Sequence, residues 1–168
     1  RVQIIQPGTA YQVVSMLEGV VERGTGRRIK AVKKPLAGKT GTTNDSFDTW
    51  FMGFSPDLAV GVYAGFDKPR SLGRLEQGAS VAAPVFRDFM LEALEGQTAI
   101  PFRIPPGIRL VRVNASTGVL ANVNDRNTIL EAFRPGTEPV STGPVLDGSE
   151  RRATAPGTRA RSGTGGLY

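Results

Sequence analysis

The sequence predicts an α+β fold, an antiparallel sheet flanked by helices. Three observations point to it. Two apolar runs near residues 49–55 and 58–66 are joined by Ser55-Pro56-Asp57, which is turn chemistry and makes a β-hairpin. A shorter run near 35–42 supplies a third strand, weakened by its glycines. Two stretches with apolar residues at helical spacing, near 9–23 and 80–95, bracket the strands.

The elements follow in order. Pro7-Gly8 is a break, and Thr9 is placed to cap a helix. Val13, Val14, Leu17, Val20 and Val21 lie on one helical face, and Gly24 and Gly26 end it. VERGTGRR then reads as a basic turn, its cations near the negative end of the helix dipole. TTNDSFD is a polar loop before the aromatic run TWFMGF. Glycines within LAVGVYAGF suggest close backbone approach or close packing by a helix. Ser80 is a good N-cap and Pro84 falls in a first turn, where its missing N–H is harmless. Val85, Phe86, Phe89, Met90 and Leu94 form the apolar face of that helix, which Gly96 closes. Beyond Gln97 the texture changes. IRLVRVN and VLANV flank ASTG and suggest a second hairpin, and RNTILEAF reads as a short helix. Residues 141–168 are Gly, Ser, Thr, Arg and Pro with few large apolar groups, which predicts a disordered tail. The expected divisions are therefore 1–97, an extension with a hairpin at 98–140, and the tail at 141–168.

Composition narrows the chemistry. The 168 residues contain no cysteine and no histidine. That removes disulfides, thiolate zinc sites and the commonest general base. Any proton transfer must use Lys, Asp, Glu, Tyr or water. No hydrophobic run approaches the ~20 residues that span a bilayer. The formal charge is +6, and the basicity concentrates in residues 1–40, with eight Lys/Arg against two Asp/Glu. Anion or nucleic-acid binding through residues 23–39 is one reading of that cluster. No aromatic platform or nucleic-acid motif accompanies it, so a solvated face near an anion site is the plainer one.

Lys39 is the residue that asks for an explanation. It stands in Gly38-Lys39-Thr40-Gly41-Thr42, at the end of a strand. A phosphate loop would need a glycine five positions before Gly38, where Lys33 stands, and a helix after Thr40, where a loop follows. The alternative is a sheet edge that takes an extended peptide by main-chain hydrogen bonds. There Gly41 lets a backbone come close, Lys39 and the hydroxyls of Thr40 and Thr42 offer donors to a carboxylate, and the Thr42 N–H can face a developing oxyanion. K-T-G on a strand is also one of the three signatures of penicillin-recognising serine enzymes.

The longer stretch GKTGTTNDSFDTWFMGFSPDLAVGVYAGFD resembles class A penicillin-binding proteins, the bifunctional peptidoglycan synthases of the 1A type. GTAYQVVSMLEGVVERGTGR resembles the helix and turn before that strand, GASVAAPVFRDFMLEAL the final helix, and PFRIPPGIRLVRVNASTG with EAFRPGTEP a following extension. The resemblance covers roughly residues 1–140. It implies part of a penicillin-binding transpeptidase, a serine β-lactamase-like fold. It implies acyl transfer from D-Ala-D-Ala stem peptides through a serine ester, and trapping by β-lactams. It makes Lys39, Thr40, Gly41 and Thr42 the substrate-binding strand, Lys39 and the Thr42 backbone N–H catalytic, and Asp48 and Trp50 structural. It calls for no cofactor, no metal and no nucleic acid. The implied partners are peptidoglycan stem peptides, β-lactams, the N-terminal remainder of the domain and a glycosyltransferase domain. The implied location is the periplasmic side of the bacterial inner membrane, through an anchor outside this chain.

One departure is plain. No serine here has lysine three positions on, and no S-x-N occurs. In the family both motifs would lie before Arg1. The chain is therefore expected to be the C-terminal part of a transpeptidase domain, inactive by itself. The other reading is a non-catalytic β-lactamase-like remnant or interaction module.

Overall fold

A computed structural model describes residues 2–140; the tail expected at 141–168 lies outside them. The described residues fall into two compact units, 2–109 with 132–135, and 110–131 with 136–140.

The first unit is α+β, as the sequence predicts. Helix α1 spans Pro7–Glu22. It begins two residues before Thr9, with Gln6 at the cap and Pro7 at the first helical position. Proline presets the helical φ and has no N–H to leave unpaired, so Thr9 sits within the first turn instead of capping it. The end is as expected, where the Gly24 and Gly26 N–H groups fold back on the Val20 carbonyl at 3.1 and 3.0 Å. The basic turn after it is partly a 3₁₀ helix, Arg27–Val32. Ile29 and Val32 are its buried residues, three apart on the side that a 3₁₀ turn superimposes. Six residues are too few for that period to be read from sequence.

Strands β1 (Ala37–Thr42), β2 (Asp48–Phe54) and β3 (Ala59–Gly65) form an antiparallel sheet in that order. The Ser55 hydroxyl accepts from the Leu58 N–H at 3.1 Å and closes the β2–β3 turn. Register places Lys39 opposite Met52, Gly41 opposite Trp50 and Thr42 opposite Thr49. Helix α2 spans Ala82–Ala93. Ser80 does not cap it; its hydroxyl accepts from the Gln77 N–H at 2.8 Å and serves the turn before.

The core lies between the helices and one face of the sheet. Phe51, Phe86, Ile29 and Met90 are fully buried, and the Phe51 and Phe86 rings pack at 4.7 Å. Glycine in the strands makes that packing possible. A Cβ at Gly53 would stand 2.6 Å from the Phe51 ring and 2.7 Å from the Phe86 ring. The buried stripe of α2 is Ala82, Ala83, Phe86 and Met90, continued by Leu94. Val85 and Phe89, expected on the same face, are half exposed. A spacing of four keeps the stripe narrow, and these two fall beside it.

Glu18 gives the helix a pH dependence. Burial, and then the neighbouring Glu22 carboxylate, raise the Glu18 carboxyl above its ordinary value. The folded chain holds this proton more tightly than the unfolded chain. Its contribution is thus fully present below the unfolded value of 4.5 and is lost as pH rises through the folded one. Glu18→Gln should raise the melting temperature at pH 7 and leave it nearly unchanged at pH 4, in paired thermal melts.

β4 (Arg109–Asn114) pairs with β5 (Thr128–Phe133), and residues 110–114 and 128–131 of these strands belong to the second unit. RNTILEAF is therefore largely strand, not helix. Thr128 and Ile129 are β-branched, and pairing with β4 outweighs a weak helical pattern. The VLANV arm contributes one bridge, Val113 to Leu120. The Asn114 side chain holds the tip, accepting from the Ser116 and Thr117 N–H groups at 2.9 and 3.2 Å.

Candidate active site

Among the described residues β1 is an edge strand, hydrogen-bonded to β2 alone within its sheet. The Thr43 N–H donates to the Asp48 carbonyl at 3.0 Å. Antiparallel ladders alternate, so 43–48 and 41–50 are bonded pairs and 42–49 is not. The Thr42 N–H therefore points away from β2, to the free edge, and so does the Thr40 carbonyl. The Lys39 ammonium donates to that carbonyl at 3.0 Å. An ammonium, a carbonyl and an N–H thus stand in a row along one open edge. Lys39 and Thr42 are exposed; Thr40 and Gly41 are half-buried.

Strand alternation divides the side chains. Lys39 and Gly41 share the face of Trp50 and Met52, which is exposed. Thr40 and Thr42 lie on the helix side with Thr49 and Phe51. There the Thr40 hydroxyl meets the Thr25 hydroxyl at 3.0 Å. The Thr42 hydroxyl accepts from the Gly78 N–H at 3.0 Å, which leaves its own proton for another acceptor. The four residues singled out by sequence meet only at the edge. A Cβ at Gly41 would stand 3.2 Å from the Trp50 Cβ, so a side chain there would crowd the neighbouring strand.

Asp48 and Trp50 bind the sheet together. The Tyr63 hydroxyl donates to Asp48 Oδ1 at 2.8 Å, and the Trp50 and Tyr63 rings lie 4.8 Å apart. That hydrogen bond, with lesser contributions from burial and carboxylate charge, raises the Tyr63 phenol above its ordinary value. Asp48 also ties the polar loop, its N–H donating to the Thr43 hydroxyl at 2.8 Å.

Thr25 and Gly78 were not legible as site neighbours. Gly78 is 36 positions from Thr42, and no spacing connects them. Among the described residues no cluster of three or more His, Cys, Asp or Glu could hold a metal, and no helix is long and apolar enough to cross a membrane. The basic cluster is partly engaged: Lys30 pairs with Glu22 at 2.6 Å, and Lys34 donates to the Gln97 carbonyl.

Comparison with known proteins bears on the family and the fold. Residues 1–91 match the penicillin binding protein transpeptidase domain. Penicillin-binding protein 1A of Rickettsia conorii is 41% identical over 132 residues, which is 79% of this chain and 16% of that protein. Its counterpart in Pseudomonas aeruginosa is 43% identical over 148 residues, 88% of this chain and 18% of that protein. The crystal structure of penicillin-binding protein 1A from Haemophilus influenzae superimposes with a TM-score of 0.71 at 34% identity, covering 81% of this chain and 21% of that one. The chain thus spans less than a fifth of each of these two relatives' length. An open strand edge bearing K-T-G, a helix-backed antiparallel sheet and these matches agree, and the chain belongs to the transpeptidase family of penicillin-binding proteins, in its 1A type.

Proposed function

We propose that β1 is the substrate-binding edge of a D-Ala-D-Ala transpeptidase site, completed by residues upstream of this chain. The observation that carries this is the row on the open edge: Lys39 ammonium, Thr40 carbonyl and Thr42 N–H. A stem peptide or a β-lactam lies along it as an added strand. Lys39, with the Thr40 and Thr42 hydroxyls, holds the terminal carboxylate. The serine of an upstream S-x-x-K attacks the scissile carbonyl carbon, and the Thr42 N–H, with the serine's own N–H, receives the charge on its oxygen. The terminal D-Ala leaves, and a neighbouring stem's amine takes the acyl group from the ester. With a β-lactam the leaving nitrogen stays tethered, so the ester persists.

On this reading the whole protein also carries a glycosyltransferase domain and a membrane anchor, and works at the periplasmic face of the inner membrane. The test is intact-mass detection of a benzylpenicillin adduct. One adduct per chain is expected on the full-length protein and none on residues 1–168 alone. An adduct on residues 1–168 alone would refute the assignment of the nucleophile to upstream residues. No adduct on the full-length protein would favour a non-catalytic module with the same fold.

A further inference from the structure

The segment between β3 and α2 returns to the far end of β1 and grips it on both sides of Thr42. Before the turn, Gly78 lies flat on the β1–β2 ladder. Its N–H donates to Thr42 Oγ1 at 3.0 Å. A Cβ there would stand 2.6 Å from the Trp50 carbonyl oxygen, 2.7 Å from the Gly41 carbonyl oxygen and 3.1 Å from the Gly41 nitrogen. These are backbone atoms of the ladder, so no rotamer change relieves the clash. Within the turn, Asp45 and Ser46 have φ of 58° and 54°, a left-handed conformation that non-glycine residues adopt at a cost. The Ser71 hydroxyl donates to the Asp45 carbonyl at 2.6 Å, and the Leu72 N–H donates to the Ser46 carbonyl at 2.9 Å.

The Gly41 carbonyl and the Thr42 N–H belong to one peptide unit. That unit is planar and trans, so its C=O points to β2 and its N–H to the open edge. Anything that pushes the carbonyl tilts the N–H. We propose that Gly78 is a positioning residue for acyl transfer: its bare backbone and its N–H to Thr42 set the direction in which the Thr42 N–H points. This rests on the proposed role of that N–H toward the oxyanion.

The test uses the full-length protein and benzylpenicillin. The acylation rate constant and the apparent dissociation constant are measured per titrated active site, which removes the unfolded fraction from both. Gly78→Ala should lower the acylation constant about tenfold or more, with the dissociation constant changed less than about twofold. A role in folding alone would reduce the number of titrated sites and leave the acylation constant as it was, which overturns the proposal. If Gly78→Ala yields no titratable sites, the pair Thr42→Ser and Thr42→Val decides. Serine keeps the acceptor for the Gly78 N–H, so its acylation constant should exceed that of the valine variant about tenfold. Valine removes it and should lose about tenfold in the acylation constant, beyond any weakening of binding. Equal acylation constants for the two variants would overturn the proposal. Absence of any adduct on the parent protein would instead overturn the transpeptidase reading, and this inference with it.

Discussion

Lys39→Ala in the full-length protein should slow benzylpenicillin acylation about a hundredfold or more while leaving the melting temperature within about a degree. The first part follows from where the ammonium stands. It is exposed, and among the described residues its hydrogen-bond partner is the Thr40 carbonyl on the open edge. Losing the cation that fixes the ligand's carboxylate shifts the scissile bond, and a misplacement of about 1 Å costs about 10²-fold in rate. The second part follows from the same exposure, since an exposed side chain with one local hydrogen bond stabilises the fold little. Stopped-flow or gel-based acylation with a fluorescent penicillin measures the rate, and thermal melts measure the stability. A variant that acylates at the parent rate would remove Lys39 from the machinery. A variant that loses both rate and melting temperature would make it structural.

Phe86→Ala is expected to have the largest effect on stability. Phe86 is fully buried, packs on Phe51 at 4.7 Å, and occupies space that Gly53 leaves open on the strand. Truncation removes the ring and leaves a cavity that a sheet and a helix cannot close, at a cost of about 3–5 kcal/mol. That corresponds to a fall on the order of 10 °C for a domain of this class. Phe89→Ala, on the same helix but half exposed, should cost less than about 1 kcal/mol. Thermal melts of the pair, side by side, test whether the core sits where the rings meet. Comparable losses for the two would place α2 in a different rotation.

The contrast between Phe86 and Phe89 shows where sequence reading loses resolution. Periodicity located α2 and its apolar side, because burying one face is what makes an amphipathic helix stable. It could not separate residues at the margin of the stripe, since that depends on the curvature and rotation of the opposing sheet. RNTILEAF was misread for a similar reason. Six residues of mixed propensity take the structure of their partner, and the partner β4 begins 19 residues earlier.

By itself the sequence determined the three strands of the sheet and the β2–β3 turn. Alternating runs joined by short turns leave an antiparallel meander as the economical pairing. It also singled out Lys39-Thr40-Gly41-Thr42, because a cation between glycines at a strand end suits an extended ligand. Only the tertiary structure decided which atoms of that strand face outward. The Thr43–Asp48 hydrogen bond fixes the phase of the ladder, and that phase sends the Thr42 N–H to the free edge and both threonine hydroxyls to the helix side. It alone brought Gly78 onto the Gly41–Thr42 peptide, since contacts across 36 residues follow from packing and leave no periodic trace in the chain.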